Sequence, residues 1–146
     1  MRLSNLADYA VITMCQAAQH CGDGRVSAAE LAAETRLPVP TVQKLVSKLT
    51  AAGLLRSVRG AHGGLQLGRP AAAITVADIV EAIEGRIALT TCVDDTPCDY
   101  EAGCNMKPHW PIINHALRSA LAGITLAQLR APSAARPLPL IEETLA

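Results

Sequence analysis

Apolar residues recur every three or four positions through most of the chain, and the breaks between those runs divide it into elements. Leu6, Tyr9, Ala10, Thr13, Met14 and Ala17 keep a helical period from Ser4 to about His20, and Cys21-Gly22-Asp23-Gly24 stops it. Ser27-Ala28-Ala29-Glu30 has the form of a capping box, in which a hydroxyl and a carboxylate satisfy the free amides of a helix start. A second helix is therefore predicted to about Thr35. After Arg36-Leu37-Pro38, Pro40 suits the first turn of a third helix that continues to Ala52 and ends at Gly53. Leu54 to Arg59 then reads as a short strand, Gly60 to Gly64 as a flexible turn and Leu65-Gln66-Leu67 as an alternating return strand. The helical pattern resumes from Ile74 to Glu84, with Asp78, Glu81 and Glu84 outward as a solvated face. Trp110-Pro111 opens a further helix with Ile113, Leu117, Ala120, Leu121 and Ile124 in one stripe. The fold predicted is mainly α: a winged helix-turn-helix with a small β-hairpin wing and a long C-terminal helix. That stripe suits pairing with a second copy, or packing on its own domain.

Composition narrows the class. The 146 residues are half hydrophobic but include no Phe, two Tyr and one Trp, so Ala, Leu, Val and Ile on helices must build the core. No run of about 18 apolar residues occurs, and Met1 to Asp8 carries Arg2 and Asp8 in place of a basic and then apolar leader, so a cytoplasmic location is expected, with no membrane partner. There is no paired acid/base constellation, no Ser/His/Asp set and no phosphate-binding glycine loop leading into a helix, which argues against an enzyme. No internal repeat is evident. Arg130 to Ala146, with Pro132, Pro137 and Pro139, reads as a tail whose Leu138, Leu140 and Ile141 are able to dock.

Charge is zero overall and uneven along the chain. Residues 1–70 hold eight Lys/Arg against four acids, +4, and the rest hold five against nine, −4. A basic first half points to a polyanionic partner. On the third helix Val42, Leu45, Val46 and Leu49 share the inward face, leaving Thr41, Gln43, Lys44, Ser47 and Lys48 outward. Short polar and cationic side chains in that arrangement suit a DNA major groove, with Gln43 at a base edge and the others at phosphates; a plain solvated face has the same pattern. Arg59 at the hairpin tip suits a narrow minor groove, and the glycines beside it let backbone approach phosphate. Arg2, Ser27, Pro40, Gly60, His62 and Gly63 complete the candidate contacts with a double-stranded operator.

Of five cysteines, Cys92, Cys98 and Cys104 are equally spaced in an acidic stretch broken by Pro97 and Gly103. Thiolates are soft ligands for iron-sulfur clusters, copper(I) and zinc, and a reducing compartment favours ligands over disulfides. Three are one short of the usual four. Cys15 falls within the apolar pattern of the first helix and Cys21 at its end, and both read as structural. Asp94, Asp95, Asp99 and Glu101 read as loop solubilisers.

The opening Met1 to Ala10, the stretch Leu54 to Gly64 with its Arg59-Gly60-Ala61-His62-Gly63-Gly64 tip, the segment Ile74 to Gly85 and the three cysteines resemble the IscR-type winged-helix regulators of iron-sulfur cluster biogenesis. The resemblance covers residues 1 to about 130. Leu37 to Pro40, Gly60 to Gly64 and Ile87 to Thr90 look most like the regulators of SUF cluster-assembly operons. It implies a homodimer that represses cluster-assembly genes when clusters are plentiful, sensing cluster, redox or nitric oxide status through a [2Fe-2S] or [4Fe-4S] cluster on the three cysteines and a fourth group. In that family a histidine follows the third cysteine by three residues; here the position is Lys107, a poor ligand while protonated. By resemblance to nitric-oxide-sensing members, the fourth ligand implied is Asp8 of the partner subunit, with His109 the alternative and Asn105 a distant third. Asp8 also suits the N-terminal end of a helix dipole. The expected divisions are a DNA-binding domain over residues 1–84, a cluster-binding loop over 85–107, a dimerisation helix over 108–129 and a tail over 130–146. A regulator without a cluster, thiol-based or holding zinc on Cys92, Cys98, Cys104 and His109, is the competing expectation.

Overall fold

The computed structural model describes residues 1–20 and 24–130. Cys21 and the tail beyond Arg130 therefore lie outside the described residues. The described residues form six α-helices, a two-stranded sheet and one 3-10 turn. Helix α1 (Asn5–Gln19) is capped by Ser4, whose hydroxyl accepts from the Ala7 amide, and it buries Ala7, Ala10, Met14, Ala17 and Ala18. Its small buried side chains let α2 (Ala28–Thr35) and α4 (Val76–Glu84) lie close against it. The expected capping box at α2 is formed in both directions: Glu30 N to Ser27 Oγ at 3.1 Å and Ser27 N to Glu30 Oε2 at 2.7 Å. Arg36 closes α2 in the left-handed conformation at φ 59°, which few non-glycine residues adopt, and the chain turns there into α3 (Val39–Ala51).

The wing is strand β1 (Leu55–Val58) paired antiparallel with β2 (Gly64–Leu67), in the register Leu55 to Leu67 and Val58 to Gly64. Val26, ahead of α2, adds a third rung by exchanging both backbone hydrogen bonds with Leu65. The core lies where α1, α2, α3 and β1 meet α4, with Met14, Leu31, Leu45, Leu49, Leu54, Leu55, Ile74 and Ile79 almost wholly buried. A 3-10 turn at Ala71–Ala73 leads into α4, whose start is set by a second capping box between Thr75 and Asp78.

The long C-terminal helix expected over 108–129 is two helices: α5 (Trp110–Ala122) and α6 (Leu126–Arg130). Gly123 ends α5, and Thr125 starts α6 by trading hydrogen bonds with Gln128. The Thr-x-x-Gln spacing is itself a capping-box signal. The break turns α6 back onto the winged-helix body. Val76 N donates to Ile124 O at 2.9 Å, Leu126 N donates to Ile74 O at 2.8 Å, and Leu126 is fully buried in the common core. The stripe on α5 divides accordingly. Leu117 and Leu121 are half-buried, whereas Ile113 and Ile124 remain exposed together with Ile112.

Candidate nucleic-acid interface and cysteine loop

The second helix of the helix-turn-helix is amphipathic in the way its apolar period requires. Val42, Leu45 and Leu49 are buried, Val46 is half-buried, and Pro40, Gln43, Lys44 and Ser47 are exposed, with Thr41 half-buried at the edge. Lys48 is also half-buried, and its ammonium reaches the Ile83 carbonyl at 3.5 Å, near the C-terminal end of α4 where a helix dipole favours a cation. The face left to solvent is therefore Gln43, Lys44 and Ser47, with Pro40 and Thr41 at its start. Ser27 is exposed, but its side chain is engaged as the α2 cap. Its bonds also hold the Glu30 carboxyl below the usual glutamate range, the backbone amide contributing most.

Arg59, Gly60, His62 and Gly63 share the exposed tip of the wing. Gly60 has φ 115°, and a Cβ at Gly63 would meet the Val58 and Gly60 carbonyl oxygens at 2.5 and 2.8 Å, so the turn admits only glycine at both places. Arg2 is exposed. With Met1, Leu3, Val80, Ile87 and Leu121 among its neighbours, it lines a groove of about 480 Å³.

Between α4 and α5 the chain runs through turns. Cys92 is half-buried with its sulfur 3.0 Å from Thr90 Oγ1, Cys98 is half-buried and Cys104 is exposed; all three thiols are free. Asp95 at φ 55° and Gly103 at φ 88° bend the loop, and Val93 anchors it by burial. Among the described residues no three His, Cys, Asp or Glu side chains are gathered into a set able to hold a metal ion. Asp8 is exposed in the first turn of α1, and His109 is exposed at the head of α5 without a capping bond. Lys107 pairs with Glu101, which raises its ammonium's proton affinity, with smaller contributions in the same direction from Cys92 and Cys104. The donor chemistry, three free thiols on one loop, fits a thiophilic metal or cluster. Closing such a site requires the loop to draw together and a fourth donor to arrive.

Sequence reasoning passed over the residue that fixes this loop. Asn114, on α5 and almost fully buried, donates from Nδ2 to the Ile87 carbonyl at 2.9 Å and accepts the Leu89 amide on Oδ1 at 2.8 Å. A polar residue on the inward side of an apolar helix was the available signal. The acids expected to form a solvated face on α4 are also engaged: Glu81 accepts from Arg118 of α5 at 2.5 Å, Glu84 accepts the Ser4 amide at 3.0 Å, and Asp78 caps α4. Cys15 is half-buried against the core, and burial pushes its thiol up, in keeping with a structural role.

No described helix is long and apolar enough to cross a membrane. The profile of the Rrf2 family, described as iron-dependent transcriptional regulator, matches residues 3–132. The HTH-type transcriptional regulator IscR of Yersinia enterocolitica is 33% identical over 129 residues, 88% of this chain and 79% of that protein. The structure of CymR, the global cysteine regulator of B. subtilis, superposes with a TM-score of 0.71 at 30% identity, covering 89% of this chain and 96% of that one. T. potens IscR superposes with a TM-score of 0.68 at 32% identity, covering 88% and 85%. The winged helix, its basic outer face and this match along nearly the whole described chain lead to one conclusion: the protein belongs to the Rrf2 family of transcriptional regulators.

Proposed function

We propose that the protein is a homodimeric, operator-binding repressor of iron-sulfur cluster assembly genes, of the kind that serves SUF operons. Its cluster, [2Fe-2S] or [4Fe-4S], would be held by Cys92, Cys98 and Cys104, with Asp8 of the partner subunit as fourth ligand and His109 as the alternative. The observation that carries this reading is the placement of three free thiols on one loop, tied by Asn114 to a helix whose Ile112 and Ile113 are exposed. The family's description as iron-dependent and the IscR relatives support it. When bound, the cluster supplies a soft, oxidant-labile iron-sulfide centre.

The chain's own residues supply the rest. Gln43, Lys44 and Ser47 on α3 meet the major groove, and Arg59 with the glycine tip meets the flanking groove. The exposed side of α5 pairs with its twin, so two recognition helices stand at a fixed separation on a pseudo-palindromic site. Lys107 offers a cation on the cysteine loop, paired with Glu101, in place of a fourth ligand. A ligand shifts operator affinity only as far as it favours one loop arrangement over the other, and Asn114 is the link by which that arrangement reaches α5.

Anaerobic purification with iron and sulfide analysis, followed by operator binding before and after chelation, tests the reading. The expected result is a coloured protein whose operator affinity changes about tenfold or more on chelation, the scale of ordinary allosteric coupling. A triple Cys92→Ser, Cys98→Ser, Cys104→Ser variant should be colourless and indifferent to chelator. A second reading, a thiol-based or zinc-holding regulator, is supported by the likeness to a cysteine regulator. A colourless wild type that still responds to oxidant or zinc would establish it.

A further inference from the structure

The tip of the wing is a five-residue turn, Arg59 to Gly63, with Gly60 to Gly63 exposed and three glycines in the stretch to Gly64. Such a turn is loose on its own, because glycine backbone has the most conformational freedom to lose. Within the turn, Gly63 N donates to Gly60 O at 2.8 Å. Outside the hairpin, the residue that reaches it is Arg25, whose Nη1 donates to the His62 carbonyl. Among the described residues no other hydrogen bond joins residues 60–62 to anything beyond the hairpin.

Arg25 is well founded for such a contact. It precedes Val26, which is buried and locked to Leu65 by Leu65 N to Val26 O at 2.8 Å and Val26 N to Leu65 O at 3.3 Å. A Cβ placed at Gly64 would meet the Arg25 Cβ at 3.1 Å, so the two backbones run in near contact and the guanidinium starts beside the turn it grips. A planar group with several donors on a fixed stem spans from the third rung of the sheet to the far end of the loop. The bond also fixes the carbonyl on one side of His62 while Val58 fixes the strand before Arg59.

We propose that Arg25 is the positioning residue of the wing: it braces the Gly60–Gly63 turn from outside the hairpin and so presents Arg59 to DNA in one orientation. This rests on the operator-binding reading above, and the brace is testable without DNA. In the DNA-free protein, Arg25→Ala should speed amide hydrogen exchange at residues 60–64 and leave the unfolding midpoint unchanged, because an exposed local contact controls local opening and not global stability. Operator affinity should fall about tenfold, as expected for losing a charge-assisted hydrogen bond. The double variant Arg25→Ala, Arg59→Ala should bind no more weakly than Arg59→Ala alone, since a residue acting through another is not additive with it. Unchanged exchange in the turn would overturn the brace, and additive losses would make Arg25 a direct DNA contact instead. Faster exchange with an inert Arg59→Ala would uphold the brace while removing the wing from the operator reading.

Discussion

Asn114 illustrates how much a single buried amide can decide. Both of its polar ends bond to backbone on one short segment, Ile87 O and Leu89 N, immediately before the cysteines. Asn114→Ala removes both bonds from this part-buried segment, which costs about 1–2 kcal/mol. Urea unfolding should show that loss, and Cys92 should react faster with a thiol reagent in the folded variant. Three glutamates give a second expectation at this scale. Glu34 is held below the ordinary 4.5 chiefly by its hydrogen bond with His20, with Gln16 adding to it. Glu84 is lowered by Ser4, and Glu30 by Ser27. Each is more acidic folded than unfolded, so its contribution to stability is complete above pH 4.5 and disappears as pH falls through the depressed folded values. Unfolding measured from pH 6 down to about pH 3 should show an acid loss that Glu34→Gln and Glu84→Gln together flatten.

The elements were legible wherever a local rule and the core agreed. Ser27-x-x-Glu30 and the Pro40 start gave the helix-turn-helix, and the change of period at Leu54 gave the wing. The misses came from contacts far apart in sequence. Gly123 and the Thr125-x-x-Gln128 box mark the break locally, but nothing near Ile124 announces that its carbonyl takes the Val76 amide, the bond that with the burial of Leu126 folds the last helix back where one long rod was expected. The outward acids of α4 likewise looked solvated because their partners, Arg118 and Ser4, lie 37 and 80 residues away. Leu126→Ala should therefore cost about 3 kcal/mol, the range for emptying a fully packed leucine site, even though the helix it sits on has only five residues. Thermal unfolding would register it; a change of a few tenths would mean that α6 is not part of the core.

For the whole molecule, one side of α5 carries apolar residues that no other described residue covers. Ile112 is 69% exposed and Ile113 41%, an uncommon expense for two branched apolar residues unless another surface covers them. On the proposed dimer reading, Ile112→Glu with Ile113→Glu should give a monomer in sedimentation analysis where the unchanged protein sediments as a dimer, and should weaken operator binding strongly, because two linked half-sites bind with avidity. The proposed ligand set is only half legible for a related reason: the sequence names the three cysteines, but a donor proposed to come from another subunit would leave no mark of spacing within one chain.

Helix α5 is secured to its neighbours near both ends, by Asn114 at one and by the Ile124 and Leu126 backbone bonds at the other. A rod clamped in this way behaves as a beam and not as a hinge. If two copies pair and read DNA as proposed, tension applied at the cysteine loop would arrive at the far clamp as a tilt of the whole DNA-reading body, and the spacing of the paired bodies would become the quantity that the loop sets.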